Sequence, residues 1–172
     1  VIDGSESVAQ LQALHDAGVR GVRLNLSLGV TGSVDSILPL ARRIAPWGWH
    51  LQLLMAPDVL ASLGDVLRSV PVPLVFDHLG RIDPAEGPAA EAYGVVRGLL
   101  DGGNTWVKLS GAYMRSTVHG PSYADTLPLG QALVQAAPER LVWGSDWPHT
   151  TETPGTVNDA DLVDLLQAWA GG

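Results

Sequence analysis

An α/β fold of parallel βαβ units is what this sequence predicts, on three observations. Short apolar runs alternate with stretches of helical periodicity, five runs against six helices. The runs are apolar along most of their length, as strands are when helices cover both faces of a sheet. Polar and charged residues gather at or just past the C-terminal ends of those runs.

The elements follow in order. Glu6–Ala17 places apolar residues at Val8, Leu11, Leu14 and Ala17, a helical spacing, with Ser5 or Ser7 as cap and Gly18 as stop. Gly21–Ser27 (GVRLNLS) reads as a strand, and Ser33–Ile44 as a helix whose regularity Pro39 opposes. His50–Met55 is the second strand, followed by a helix over Asp58–Val70 with Asp58 as its N-cap. Pro73–His78 is the third strand and Pro88–Leu100 the next helix. Thr105–Gly111 is the fourth strand, Tyr123–Ala137 a helix, Arg140–Asp146 the fifth strand and Asp159–Ala170 the closing helix. The stretches Gly87–Gly103 and Thr150–Asn158 are the most loop-like, the first of them overlapping a helix.

Five such strands fit an open doubly wound sheet or part of a (β/α)₈ barrel. The sequence contains neither GxGxxG nor GxxxxGK[ST], so the nucleotide-binding open sheets lose support. The strand ends carry Arg23 and Asn25, Gln52, Asp77 and His78, Lys108 and Ser110, and Ser145 and Asp146. In a TIM barrel the C-terminal strand ends build the active site, and polar residues converging there from several strands are what its chemistry needs. The expected fold class is therefore α/β, a (β/α)₈ TIM barrel, here incomplete, with about five strands alternating with helices.

Composition narrows the function. The formal net charge of −8 and pI of about 4.8 set the chain against phosphate backbones, so no nucleic-acid partner is expected. A local basic site for a small anionic substrate stays open, because charge within a cleft outranks net charge. The absence of cysteine excludes disulfides, thiolate catalysis and thiolate-held zinc. No apolar run reaches the ~18 residues of a membrane helix, so no membrane partner is expected. No leader is visible and a cytoplasmic location is the expectation, although a chain beginning at Val1 leaves an upstream signal open.

Four motifs carry candidate chemistry. In VFDHLGR, Val75–Arg81, His78 ends an apolar strand where an imidazole can bind a metal, move a proton or polarise a carbonyl. The structural alternative is a histidine that caps a helix or satisfies a carbonyl. In LVWGSDWPHT, Leu141–Thr150, Asp146 stands where a carboxylate can take a proton from water or hold a metal and its water. The alternative is a turn-capping Asp before Pro148. In VKLSGAYMRS, Val107–Ser116, the residues Lys108, Ser110, Tyr113 and Arg115 can face an anionic substrate, or Lys108 can pair with an interior carboxylate while Arg115 lies on the surface. In GVRLNLS, Arg23 and Asn25 share one face, and Arg23 is either an anion contact or half of an interior salt bridge. His15 reads as a solvated residue of a surface helix, His50 and His119 have no evident role, and Trp147 is a candidate wall of the site.

FDHLGR, VKLSGAYMR and LVWGSDWPH, in this order and spacing and joined by AGVRGVRLNLS (Ala17–Ser27), resemble metal-dependent hydrolases of the amidohydrolase-2 type. The likeness is to the subgroup of 2-pyrone-4,6-dicarboxylate lactonases and sugar-lactone hydrolases. The resemblance implies a TIM barrel that opens a small lactone, often carboxylated. It implies that Asp146 activates the water, and that His78 polarises the carbonyl or binds metal. Arg81 and Arg115 match positions that hold substrate carboxylates, Arg23 one with a similar task, and His149 belongs to the same substrate-binding set. His78 and Asp146 are the implied ligands where a divalent metal, Zn or Mn, is used; some members work with none. The His-x-His pair that the family carries after its first strand is absent from this sequence. Residues 1–172 then correspond to the C-terminal part of the barrel, strands four to eight, with the N-terminal strands absent. The competing readings are a metal-dependent decarboxylase of the same superfamily and a non-catalytic barrel fragment.

Overall fold

The computed structural model describes residues 5–26 and 33–171. Among them five strands form one parallel sheet in the order β1 (Gly21–Asn25), β2 (His50–Leu54), β3 (Leu74–Phe76), β4 (Thr105–Leu109) and β5 (Leu141–Trp143). Every strand neighbours its predecessor, and the order never reverses as it does in a doubly wound sheet. An unreversed parallel run of this kind is an arc of a (β/α)₈ barrel. Ser27, the expected end of the first strand, lies outside the described residues.

The sheet's two faces differ. Register aligns Val22 with Leu51, Leu51 with Leu74, and Phe76 with Val107, and this apolar face is buried beneath helices. Register also aligns Arg23 with Gln52, Gln52 with Val75, and Val75 with Trp106, and none of these four is fully buried. The expectation of two covered faces therefore holds for one only. The concave face of an arc has no opposing strands to close it, and polar side chains occupy it instead.

Helices α1 (Val8–Asp16), α2 (Ile37–Ile44), α3 (Pro57–Ser62), α4 (Gly64–Arg68), α5 (Glu91–Asp101), α6 (Leu127–Ala136) and α7 (Asp159–Ala170) make the outer layer. Ser7 caps α1 in a reciprocal capping box with Gln10. Along α2, Ile37, Leu40, Ala41 and Ile44 are buried at the i, i+3, i+4, i+7 positions of one face. Pro39 does no harm because it falls in the first turn of α2, after the short 3₁₀ turn Val34–Ser36. The expected single helix over Asp58–Val70 is broken at Leu63, whose N–H reaches back three residues to Leu60. Asp58 is not the cap: Ala56 takes that position, Pro57 opens the helix, and Asp58 lies in its first turn. The stretch 87–103 resolves as a 3₁₀ turn and α5 rather than a loop. No described helix is long and apolar enough to cross a membrane.

Candidate active site

β3 ends at Phe76, and Asp77 follows in phase with Val75, on the concave side. Its carboxylate is 2% exposed yet collects donors from three strands. Arg23 Nε donates at 2.8 Å, Gln52 Nε2 at 2.8 and 3.0 Å, and Lys108 Nζ at 3.1 Å. Burial alone pushes the Asp77 carboxyl up; the Gln52 amide, Lys108 and Arg23 outweigh it and hold the group below its ordinary value. Arg23 and Lys108 are thus both interior ion-pair partners, while each still borders the cavity described below. Asp77 and Gln52 were visible at strand ends, but their role depends on a register that joins residues 25 to 54 apart.

The next four residues, His78–Arg81, all adopt left-handed backbone, with φ of 51°, 54°, 67° and 55°. Three of them are not glycine, and such conformations cost roughly 1–3 kcal/mol each, kept where packing over-determines them. Within this turn His78 is buried, and its Nδ1 meets Ser110 Oγ at 2.9 Å. Gly111, at φ 61°, makes room for it: a Cβ there would stand 2.8 Å from His78 Nδ1. Burial lowers the His78 pKa, offset in part by Asp146 and Asp77, so the ring is neutral at pH 7. With Nδ1 engaged by Ser110, Nε2 is the nitrogen left to a ligand.

Asp146 follows β5 and is likewise left-handed, at φ 65°. One oxygen lies 3.9 Å from His78 Nδ1 and accepts a 2.7 Å hydrogen bond from the Tyr113 hydroxyl. Burial and the neighbouring Asp146 push Tyr113 far above an ordinary phenol, so it remains a donor at any working pH. His149, three residues on and also left-handed, brings Nδ1 to 3.3 Å from the Tyr113 oxygen and Nε2 to 3.1 Å from Asp159. Arg115 pairs with Asp83 at 3.0 Å, and Arg81 lies close enough to Arg115 for their charges to oppose. Neither arginine lines the cavity at the strand ends.

That cavity has a volume of about 370 Å³ and opens at the C-terminal strand ends. Arg23, Lys108, Asp77, His78, Ser110 and Asp146 line it, with Val142 and Trp143 as apolar wall. Two cations, two carboxylates and a neutral imidazole thus face one space large enough for a small bicarboxylic ring. Trp147, by contrast, is largely exposed beside it. Among the described residues no three His, Asp or Glu side chains gather as metal ligands. His78 and Asp146 are two donors, one already bonded to Ser110, and do not by themselves fit a zinc or manganese centre. His15, expected in solvent, accepts a 3.0 Å hydrogen bond from the indole of fully buried Trp49 and stacks on its ring.

A parallel βα arc with its polar groups at the C-terminal strand ends is the architecture of part of a TIM barrel. The sequence model of the Amidohydrolase family matches residues 3–171, and the chain belongs to that family. It is 35% identical over 173 residues to the 2-pyrone-4,6-dicarboxylate hydrolase of Comamonas testosteroni, covering 94% of this chain and 56% of that protein. It is 35% identical over 169 residues to the 4-sulfomuconolactone hydrolase of Rhizobium radiobacter, covering 94% and 55%. The crystal structure of a probable 2-pyrone-4,6-dicarboxylic acid hydrolase from Acinetobacter baumannii, with citric acid bound, superposes with a TM-score of 0.78 at 26% identity, covering 98% of this chain and 64% of that one. The chain spans about half the length of the curated relatives it matches.

Proposed function

We propose that the whole protein hydrolyses a small carboxylated lactone, and that these residues supply strands four to eight of its barrel. The observation that carries the reading is the approach of Asp146 to His78 in a cavity that Arg23 and Lys108 also line. Relatives named for lactone hydrolysis, and the citric acid held by one of them, support a substrate bearing carboxylates. The covered lengths of 55–56% support the missing strands, as does an apolar groove of about 710 Å³ along β1, walled by Leu14, Val19 and Val22.

Asp146 accepts a proton from water as the oxygen attacks the lactone carbonyl carbon. His78 donates from Nε2 to the carbonyl oxygen, where negative charge develops. The ring C–O bond then breaks, and the proton held by Asp146 passes to the departing oxygen. The products are a carboxylate and a hydroxyl, with one acid equivalent released. Lys108 has three N–H donors, of which Asp77 takes one, leaving donors for a substrate carboxylate. Arg81 and Arg115, beyond the cavity, receive a second carboxylate once Arg115 exchanges Asp83 for it.

The test is titration at constant pH of the protein with 2-pyrone-4,6-dicarboxylate and a panel of carboxylated γ- and δ-lactones. Uptake of one base equivalent per ring opened is the expected result. Release of carbon dioxide would instead identify a decarboxylase, and inertness towards every lactone would overturn the reading.

A further inference from the structure

Asp83 is an acid set against a basic pair. The segment Arg81–Asp83 leaves the left-handed turn after β3, and its middle residue, Ile82, is 1% exposed and packed into the core. Arg81 and Asp83 are thereby held on either side of a fixed point, and both act on one residue of the loop after β4. Asp83 Oδ2 accepts from Arg115 Nη2 at 3.0 Å, whereas the Arg81 charge opposes that of Arg115. Burial, and then that opposition, hold the Arg81 guanidinium below its ordinary pKa. Among the described residues Arg81 forms no ion pair. The Asp83 carboxylate is pinned at its other oxygen, Oδ1, by the Ala85 N–H at 2.9 Å. A backbone turn adds to this, Glu86 and Gly87 N–H donating to the Asp83 carbonyl at 3.1 and 2.9 Å.

Two guanidinium cations against one carboxylate leave a single positive charge at this place. A carboxylate arriving from a dianionic substrate must break the Arg115–Asp83 pair or stand beside a like charge. We propose that Asp83 is a specificity-determining residue, an internal carboxylate that holds Arg115 against a second substrate carboxylate and so favours lactones with one carboxylate over lactones with two. The inference rests on the proposed function, in which Arg81 and Arg115 receive that second group. A monoanion held in the cavity by Lys108 does not meet Asp83, which is not among the residues lining that cavity. The Arg115 and Asp83 side chains are 35% and 42% exposed, so the pair yields to a competing anion and the selectivity is graded.

Calorimetric titration of the whole protein with two unreactive rings, pyridine-2-carboxylate and pyridine-2,4-dicarboxylate, reads this directly. In Asp83→Asn, which keeps the shape and an acceptor for the Ala85 N–H, the dicarboxylate should bind about two- to fivefold more tightly and the monocarboxylate as before. Asp83→Ser, whose hydroxyl keeps the turn but is too short to pair with Arg115, should do the same. Asp65→Asn, which removes an exposed acid paired with Arg68, should change neither. Unchanged, weaker or absent dicarboxylate binding in both Asp83 variants overturns the inference, and so does an equal gain for both rings. In lactone turnover the Asp83 variants should lower KM for dicarboxylated rings alone, with kcat unchanged, since the group acts on binding. A change in kcat with KM intact also overturns it. Failure of the parent to open any lactone counts against the proposed function, while ring binding still decides the role of Asp83.

Discussion

Replacing Asp77 by asparagine tests whether the concave face is organised around one buried carboxylate. The substitution keeps volume and removes charge. Gln52 Nε2 contacts both carboxylate oxygens, so either orientation of the new amide sets an NH₂ against an NH₂. Arg23 and Lys108 lose their counter-charge at the same time. Breaking a fully buried ion pair costs about 3–5 kcal/mol. Here the Arg23 and Lys108 side chains are 44% and 35% exposed, and water recovers part of that loss. A cost of about 2–3 kcal/mol is expected, in line with the loss of charge-assisted hydrogen bonds. With a urea slope of about 2 kcal/mol per molar, the unfolding midpoint should fall by roughly 1–1.5 M. Asp65→Asn, which removes an exposed pair with Arg68, should leave the midpoint in place. A shift in Asp77→Asn no larger than in Asp65→Asn would refute the argument.

Gly130→Ala drives a Cβ to within 2.2 Å of the Trp169 ring at the α6–α7 contact, and overpacking of about 1–3 kcal/mol should lower Tm by roughly 3–10 °C by calorimetry; an unchanged Tm would count against this packing. Gly111→Ala should separate His78 from Ser110 and cut lactone turnover by about 100-fold, since the added methyl meets His78 Nδ1 at 2.8 Å; wild-type turnover would show that His78 need not sit there. Acid should destabilise the fold in two stages. His78 binds its proton less readily folded than unfolded, so stability present above pH ~6.5 begins to fall below it. Asp77 is likewise depressed, so a further loss follows below about pH 4 as the folded carboxyl is forced to protonate. Urea midpoints measured from pH 8 to pH 3 check this, and a flat profile would contradict it.

Strand positions were legible because each apolar run is short and bounded by polar residues. Strand ends were not. Expected strands reaching His78 and Asp146 stop at Phe76 and Trp143, and the backbone turns left-handed only beyond them, at His78 and Asp146. Local periodicity does not report such turns, which tertiary packing holds in place. The candidates His78, Ser110, Tyr113, Asp146 and His149 were legible from motif and strand-end position, and the structure links them through hydrogen bonds and close approaches. Asp77 was overshadowed by the histidine beside it. Its signal was an acid in phase with a basic and an amide residue on neighbouring strands, which needs the register to read. His15 reads as a surface residue in the sequence because its partner Trp49 lies 34 residues away.

Water attack assisted by Asp146 is the central claim, and turnover in ¹⁸O-labelled water tests it most directly. The account predicts one solvent oxygen in the newly formed carboxylate and none in the released hydroxyl. It also predicts that Asp146→Asn slows that incorporation by about 10²–10⁴-fold. Product that carries no solvent oxygen, or incorporation undiminished in Asp146→Asn, would contradict it.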